Sequence, residues 1–129
     1  MDFTLDVEQK QGYLHVTVTG ANSTETVAAY LEQVVRECVS RQCHKVLIEE
    51  RLEGPRLGLS EIADVAAEGS KHAVGTIHAL AYVDVNAKDD SMQFAELVAR
   101  NRSAPVRVFG TVAEAEIWIG GEKAKEQVH

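Results

Sequence analysis

Several kinds of residue and segment are scarce in this chain, and each shortage excludes a class of protein. There are only two cysteines, Cys38 and Cys43, too few for the disulfide framework of a small secreted domain. The longest apolar runs have five residues, against the roughly 20 that a membrane-spanning helix needs. The first residues show no basic segment followed by an apolar one, as a secretory leader would. We therefore expect a cytoplasmic protein without a transmembrane segment or a disulfide.

Basic charge is also in short supply. The 13 lysines and arginines are outnumbered by 20 aspartates and glutamates, which gives a net charge of −7, and the basic residues are scattered rather than gathered in a stripe. Binding to nucleic acid requires positive charge concentrated against the phosphate backbone. Nucleic acid is therefore not an expected partner.

The remaining composition is that of one globular domain. Hydrophobic residues make up 45% of the 129 residues and charged residues 26%, close to the averages for globular proteins, and single domains of this length are common. We expect residues 1–120 to form the domain. Gly120 and Gly121 would stop its last helix, because glycine favours the position just after a helix end. Residues 121–129 are therefore predicted to be a flexible polar tail.

Alternating and continuous apolar segments predict the strands. Apolar residues alternate with polar ones from Phe3 to Val7 and from Leu14 to Val18, which predicts a half-buried β-hairpin. Lys45–Ile48 and Ile77–Val83 are apolar on both faces, as strands between two layers of helices are. A short last strand is predicted at Val106–Phe109.

Helical periodicity and capping residues fill the intervals between the strands. The first helix is predicted to run to about Arg41. The predicted caps are, in chain order, Asn22 or Ser23, Ser60, Asp89 or Asp90, and Thr111 with Glu114. The inward residues of the third and fourth helices are predicted to be Phe94, Leu97 and Val98, and then Val112, Ala115, Trp118 and Ile119. The order ββαβαβαβα predicts a single-domain α/β fold, a mixed sheet of about five strands with four helices, parallel inside and antiparallel at one edge.

The last strand and helix carry the most specific pattern. Arg107-Val108-Phe109, followed by Glu114-Ala115-Glu116 and Trp118, resembles the SpoIIAA-like group of STAS domains, bacterial proteins also described as STAS/Sec14-like. The element order extends this resemblance from the first strand to Ile119. It implies a noncatalytic regulatory module that binds a partner protein. The comparison with Sec14 implies an alternative, a carrier or sensor of a small apolar, lipid-like ligand.

One departure from that family concerns its phosphoswitch. The resemblance implies a phosphorylatable serine in an Asp-Ser-Ser-Gly-like run just after the strand that corresponds to Val46–Ile48, and this chain has no such run. Ser60 is the only local candidate, far along a lengthened loop, and Glu53 and Glu61 would repel its phosphate. We expect Ser60 to be a plain N-cap and the usual phosphoswitch to be absent.

Carboxylates cluster where a predicted central strand ends. Glu49, Glu50 and Glu53 are predicted to lie past the carboxyl end of that strand, which is where open α/β sheets bind ligands. Catalysis by paired carboxylates would require one of them to be buried, whereas the neighbouring Arg51 and Arg56 favour a solvated ion-pair loop. The candidate ligand or partner rim comprises Glu49, Glu50, Arg51, Arg56, Leu57 and Asp84. An enzyme of unrecognised type using Glu49 and Glu50 is a third hypothesis, which depends on a cleft beside them.

Other motifs for catalysis or metal binding are missing from the sequence. The histidines lack the spacing of a metal site, and Cys38, Cys43 and His44 are predicted to point in different directions. No phosphate-binding glycine loop and no G-x-S-x-G motif occurs. We expect no cofactor, no metal and no catalytic residue, and we interpret His78 as a residue of a core strand. The edge strand of the hairpin offers a route to a homodimer.

Overall fold

The computed structural model describes residues 3–87 and 90–128. Its elements follow the predicted order, so the α/β class is confirmed. Asp90 is the N-cap of the third helix, and Asp89, the other predicted start, lies outside the described residues. The elements are β1 (Phe3–Gln9), β2 (Leu14–Ala21), α1 (Thr24–Ser40), β3 (Lys45–Glu53), α2 (Leu59–Ala73), β4 (Ala79–Asp84), α3 (Ser91–Asn101), β5 (Val106–Phe109) and α4 (Val112–Val128).

The five strands form one mixed sheet with the spatial order β1-β2-β3-β4-β5. β1 is antiparallel to β2, as a hairpin must be, and every other pair is parallel. A helix joins each parallel pair, because the chain has to return to the starting edge of the sheet. The carboxyl ends of β2 to β5 therefore meet at one edge.

The sheet separates two apolar cores. Val46 and Ile48 of β3 face the core under α1 and α2, whereas Leu47 faces the core under α4. This is the reason for the continuous apolar run, since both faces of a central strand are covered. α4 contacts β3, β4 and β5, and its Ala115 and Ile119 are fully buried.

Capping side chains begin the first and last helices. The hydroxyl of Ser23, rather than Asn22, accepts the backbone N–H of Thr26 at 3.0 Å and caps α1. The Asn22 amide instead donates to the carbonyl of Pro55 at 3.0 Å, which ties the start of α1 to the loop after β3. The predicted cap of α4 is confirmed, since Thr111 Oγ1 accepts the N–H of Glu114 at 3.2 Å.

The prediction that Ser60 is an N-cap is wrong. α2 begins at Leu59 with Gly58 as its N-cap, and the Gly58 N–H donates to Glu61 Oε1 at 2.9 Å. Because the Glu61 side chain reaches back to the chain before the helix, the helix starts earlier than the serine. Ser60 therefore lies within the first turn and is exposed.

The predicted end of α4 is also wrong. The helix passes through Gly120 and Gly121 and continues to Val128. A glycine inside a helix costs about 1 kcal/mol relative to alanine, but it ends the helix only where the backbone turns out of the helical conformation. The flexibility of residues 121–129 stays a prediction.

Two further side chains are exposed where the sequence predicted burial. β4 begins at Ala79, so His78 lies just before the strand, where it is exposed and stacks on His44 with 4.7 Å between ring centroids. Leu97 is 57% exposed, and Ala99 is the buried residue of α3. Among the described helices, none is both long enough and apolar enough to cross a membrane.

Candidate functional site

Glu49 and Glu50 lie within β3 rather than in a loop after it. The strand pairs with β2 and β4 as far as these residues, Glu50 lying opposite Val18 and Asp84. This pairing leaves Glu49 only 8% exposed and Glu50 only 4% exposed. The interpretation of a solvated ion-pair loop is therefore wrong. Successive residues of a strand point to opposite faces, so the two carboxylates enter different environments.

Glu50 faces the helices and forms a buried acid pair with Asp84. The hydroxyls of Tyr30 on α1 and Tyr82 on β4 both donate to Glu50 Oε2, and they contact each other. Asp84 lies opposite Glu50 in the register of β3 and β4, and its Oδ2 accepts a hydrogen bond from Nη2 of Arg56 at 2.6 Å. We call Tyr30, Glu50, Arg56, Tyr82 and Asp84 the acid cluster.

The surroundings of Glu50 bring its titration close to neutral pH. The pKa of Glu50 is raised to about 7: burial is the main cause and the charge of Asp84 adds to it, while the hydrogen bonds from Tyr30 and Tyr82 lower the pKa. Burial, together with the charge of Glu50, raises the pKa of both tyrosines well above their usual range. The tyrosines therefore remain hydrogen-bond donors, and Glu50 is the group of this cluster that can take up or release a proton near pH 7.

A cavity of about 100 Å³ opens beside the acid cluster, between the sheet and the helices α1, α2 and α3. The close backbone contacts of α2 are with α1 and α3 rather than with the sheet, which leaves a gap beneath it. Several residues that line this gap are too small to fill it, namely Ala66, Gly69, Ala95 and Ala99. Glu50, Arg56, Tyr82 and Asp84 form its polar end, and Leu57 also lines it.

The cavity is small compared with most ligand sites. Pockets for drug-sized molecules have volumes of about 300–1,000 Å³, whereas an engineered apolar cavity of about 150 Å³ binds benzene. At about 100 Å³, the space suits a short apolar chain rather than the acyl tail of a lipid.

Glu49 belongs to a second polar group on the opposite face of the sheet. Its Oε1 is 2.8 Å from Nε2 of His15, and its Oε2 accepts a hydrogen bond from Arg51. Burial would raise the pKa of Glu49, but the hydrogen bonds from His15 and Arg51 outweigh it, so the pKa is lowered. Glu49 therefore keeps its charge near neutral pH.

The candidate rim is thus divided by the sheet. Glu50, Arg56, Leu57 and Asp84 come together at the cavity, whereas Glu49 and Arg51 lie on the opposite face. Ser60 is exposed in the first turn of α2. A cleft exists beside Glu50, which is the feature that the enzyme hypothesis required, but Glu49 does not share it.

Sequence analysis missed Tyr30 and Tyr82. Tyr30 lies on the apolar stripe of α1, three residues after Val27 and four before Val34, and Tyr82 lies two residues before Asp84, on the same face of β4. Tyrosines at core positions require partners for their hydroxyls, and an acidic residue at a strand end on the same face is such a partner. That signal was available in the sequence. Among the side chains that the structure describes, no group of three or more His, Cys, Asp or Glu could hold a metal ion.

The fold is similar to that of a known regulator. The crystal structure of an anti-sigma factor antagonist from Mycobacterium paratuberculosis superposes with a TM-score of 0.55, at 20% sequence identity, over 91% of this chain and 93% of that chain. This chain has the SpoIIAA-like STAS fold. No family model matches the sequence, and no curated protein matches it either.

Within this STAS fold, the acid cluster lies at the carboxyl ends of β3 and β4, close to the loop that leads into α2. The resemblance to STAS domains implies a phosphorylatable serine in this region. Here Ser60 is exposed on α2, while a buried acid pair lies beside the cavity.

Proposed function

We propose that this chain is a noncatalytic regulatory module of the STAS type that acts by binding another protein. The observation that carries the proposal is the shared fold, which extends over 91% of this chain and 93% of an anti-sigma factor antagonist. The absence of a recognisable catalytic motif from the sequence supports it. Glu50 lines the cavity, whereas Glu49 does not. This division favours the regulatory module over the enzyme hypothesis, which required both carboxylates.

The start of α2 is the proposed contact surface. Leu59 is 59% exposed at the first position of the helix, and the side chain of Arg56, just before it, is 39% exposed. An exposed leucine and a partly exposed arginine three residues before it offer an apolar contact and a charged one, a combination that is typical of protein interfaces. This surface adjoins the carboxyl edge of the parallel strands, where α/β folds commonly place their binding sites.

Affinity capture from the organism that encodes the chain tests this proposal. A specific partner should be recovered and should bind the purified chain in calorimetry. Leu59→Glu should weaken that binding by tenfold or more, because it places a charge in an apolar contact. Val39→Glu is the matched control, since Val39 is also 59% exposed but lies near the end of α1. Recovery of no specific partner, or equal losses in both variants, would contradict the proposal.

We further propose that this module works without a phosphoserine switch. Ser60 is exposed, but Glu61 next to it already accepts the N–H of Gly58, so a phosphate at Ser60 would meet a carboxylate at the helix start. Mass spectrometry of the chain isolated from its own cells should show Ser60 unmodified, and Ser60→Ala should bind the partner normally. A phosphorylated Ser60 whose modification changes partner binding would refute this proposal.

The cavity favours a second candidate function, the binding of a small apolar ligand as a carrier or sensor. Native mass spectrometry of the purified chain tests it, because one spectrum reports both bound molecules and the number of subunits. A reproducible additional mass would support the ligand function. A bare chain that also fails to bind any added small apolar molecule would exclude it. The same spectrum would show whether the chain forms a homodimer.

A further inference from the structure

The cavity has an apolar body and one charged end. Its walls include Val27 and Leu31 of α1 and Ile62 and Val65 of α2, whereas its polar end is formed by four members of the acid cluster, Glu50, Arg56, Tyr82 and Asp84. A ligand that satisfies both parts needs a short apolar chain and a head group that can interact with buried oxygen atoms.

The charge around the cavity indicates the sign of that head group. Glu50 and Asp84 contribute two carboxylates against the single guanidinium of Arg56. Glu96 of α3 also lines the cavity, and its Oε2 accepts the N–H of Val108 at 2.7 Å. Tyr30 and Tyr82 remain neutral donors. An anionic head would therefore meet three carboxylates, whereas a cation would be stabilised.

The acid pair has acceptor capacity for such a cation. An ionised carboxylate offers about four lone pairs, and Glu50 accepts from the two tyrosines, while Asp84 accepts from Arg56 and from the N–H of Asn86 at 3.0 Å. Below its pKa of about 7, Glu50 also carries a proton. An ammonium group has three N–H donors and would take the place of that proton, which leaves to solvent.

We propose that the cavity binds a primary amine on a short apolar chain, with the ammonium group at Glu50 and Asp84 and the chain beneath α2. The volume of about 100 Å³ limits the chain to a few carbons. This inference rests on the second candidate function, ligand binding, and is independent of the proposed protein partner.

NMR titration of the isotopically labelled chain with n-butylamine at about pH 8 tests the proposal. Matched probes with the same chain length are n-butanol, which is neutral, and butyrate, which is anionic. We expect n-butylamine to shift the amide signals of residues around the cavity and to bind about tenfold or more tightly than n-butanol, because its hydrogen bonds are charge-assisted. Butyrate should show no binding at the cavity.

The pH dependence gives an independent measurement. The titratable and charged groups around Glu50 are Tyr30 and Tyr82, which donate to it, Asp84, which lies opposite it in the sheet, and Arg56 and Glu96, which line the same cavity. Binding of the ammonium group displaces the proton of Glu50. The affinity for n-butylamine should therefore fall by up to about tenfold for each pH unit below the pKa of Glu50. Calorimetry in two buffers of different ionisation enthalpy should show one proton released near pH 6.

Two variants test the contributions of the charged end and of the apolar body of the cavity separately. Glu50→Gln keeps the shape but removes the charge, and should reduce n-butylamine affinity to that of n-butanol. Ala95→Leu places a larger side chain in the cavity and should abolish binding of both probes. If n-butanol or butyrate binds as tightly as n-butylamine, or Glu50→Gln has no effect, the amine assignment is wrong while ligand binding stands. If none of the three probes binds, the amine assignment and the ligand-binding function are both wrong. The protein-partner proposal is unaffected by that result.

Discussion

Glu50 is a carboxyl group whose burial makes its charged form costly to the folded chain. Its pKa is raised from 4.5 to about 7, mainly by burial. The folded state therefore holds a proton that the unfolded state releases between these values. The contribution of Glu50 to stability is fully present below pH 4.5 and is lost as the pH rises to about 7.

Replacing Glu50 with glutamine should remove this pH dependence. Relative to the parent chain, Glu50→Gln should gain up to about 3 kcal/mol of unfolding free energy between pH 4.5 and pH 7, with no further change above that window. Urea unfolding at a series of pH values measures it. Glu53→Gln, at an exposed position of the same strand, is the control and should follow the parent chain. If the difference in unfolding free energy between Glu50→Gln and the parent chain did not change with pH, the raised pKa would not belong to Glu50.

Asp84 depends on Arg56 for one of its hydrogen bonds. The Asp84 side chain is only 2% exposed, and Arg56 donates to it at 2.6 Å. Arg56→Ala should lower the unfolding free energy by about 1–3 kcal/mol, because a buried acceptor loses a charged donor. Arg36→Ala is the matched control, since its ion pair with Glu32 is exposed on α1, and it should change stability by a few tenths of a kcal/mol. Similar losses in both variants, measured by urea unfolding, would argue against a special role for Arg56.

At the scale of elements, the position of α2 determines whether the cavity exists. α2 packs between α1 and α3, and its Gly69 faces Leu31 of α1, which also lines the cavity. A Cβ atom added at Gly69 would lie 3.0 Å from Leu31 Cδ1. The cavity gives this methyl group space to move aside.

Gly69→Ala should therefore stabilise the chain. Alanine is favoured over glycine inside a helix by about 1 kcal/mol, and movement of Leu31 into the cavity would cost only part of this gain. We expect a net increase of about 0.5 kcal/mol in unfolding free energy, measured by thermal or urea unfolding. Gly75→Ala should instead destabilise the chain, because Gly75 has a φ of +87° that side chains disfavour. A loss of stability in Gly69→Ala would show that Leu31 cannot move.

At the scale of the whole molecule, α4 covers one face of the sheet at β3, β4 and β5. It contacts β3, β4 and β5, through a core cluster that contains Ala115 and Ile119 of the helix. A Cβ atom added at Gly120 or Gly121 would meet no other atom within 4 Å. Among the side chains of this helix that the structure describes, the buried ones, Ala115 and Ile119, precede the two glycines.

Removal of residues 122–129 should leave the fold intact. The shortened chain should unfold within about 0.5 kcal/mol of the full chain, because a flexible polar tail contributes little to stability. Ile119→Ala in the full chain should cost about 2–5 kcal/mol, since this side chain is fully buried. Thermal unfolding of the three proteins measures both effects. A large loss on truncation would contradict the prediction that residues 121–129 form a flexible tail.

The sequence by itself determined the order and type of the elements. Local patterns predicted these elements. Apolar and polar residues alternate in β1 and β2, apolar residues continue on both faces of β3 and β4, and Thr111 caps α4. Such patterns can be recognised from neighbouring residues, because side chains follow the period of the helix or strand that they form. These patterns were sufficient to predict the α/β class and the element order, whereas the STAS fold was predicted from the resemblance of the last strand and helix to that family.

The tertiary structure alone decided the character of the candidate site. Whether Glu50 is solvated or buried depends on how far β3 stays paired with its neighbours, and the site also requires Tyr30 from α1 and Tyr82 from β4. These residues are distant in the sequence, so no local period connects them. Burial next to a second acid then raises the pKa of Glu50, because the dielectric environment of a side chain is a property of the packed molecule.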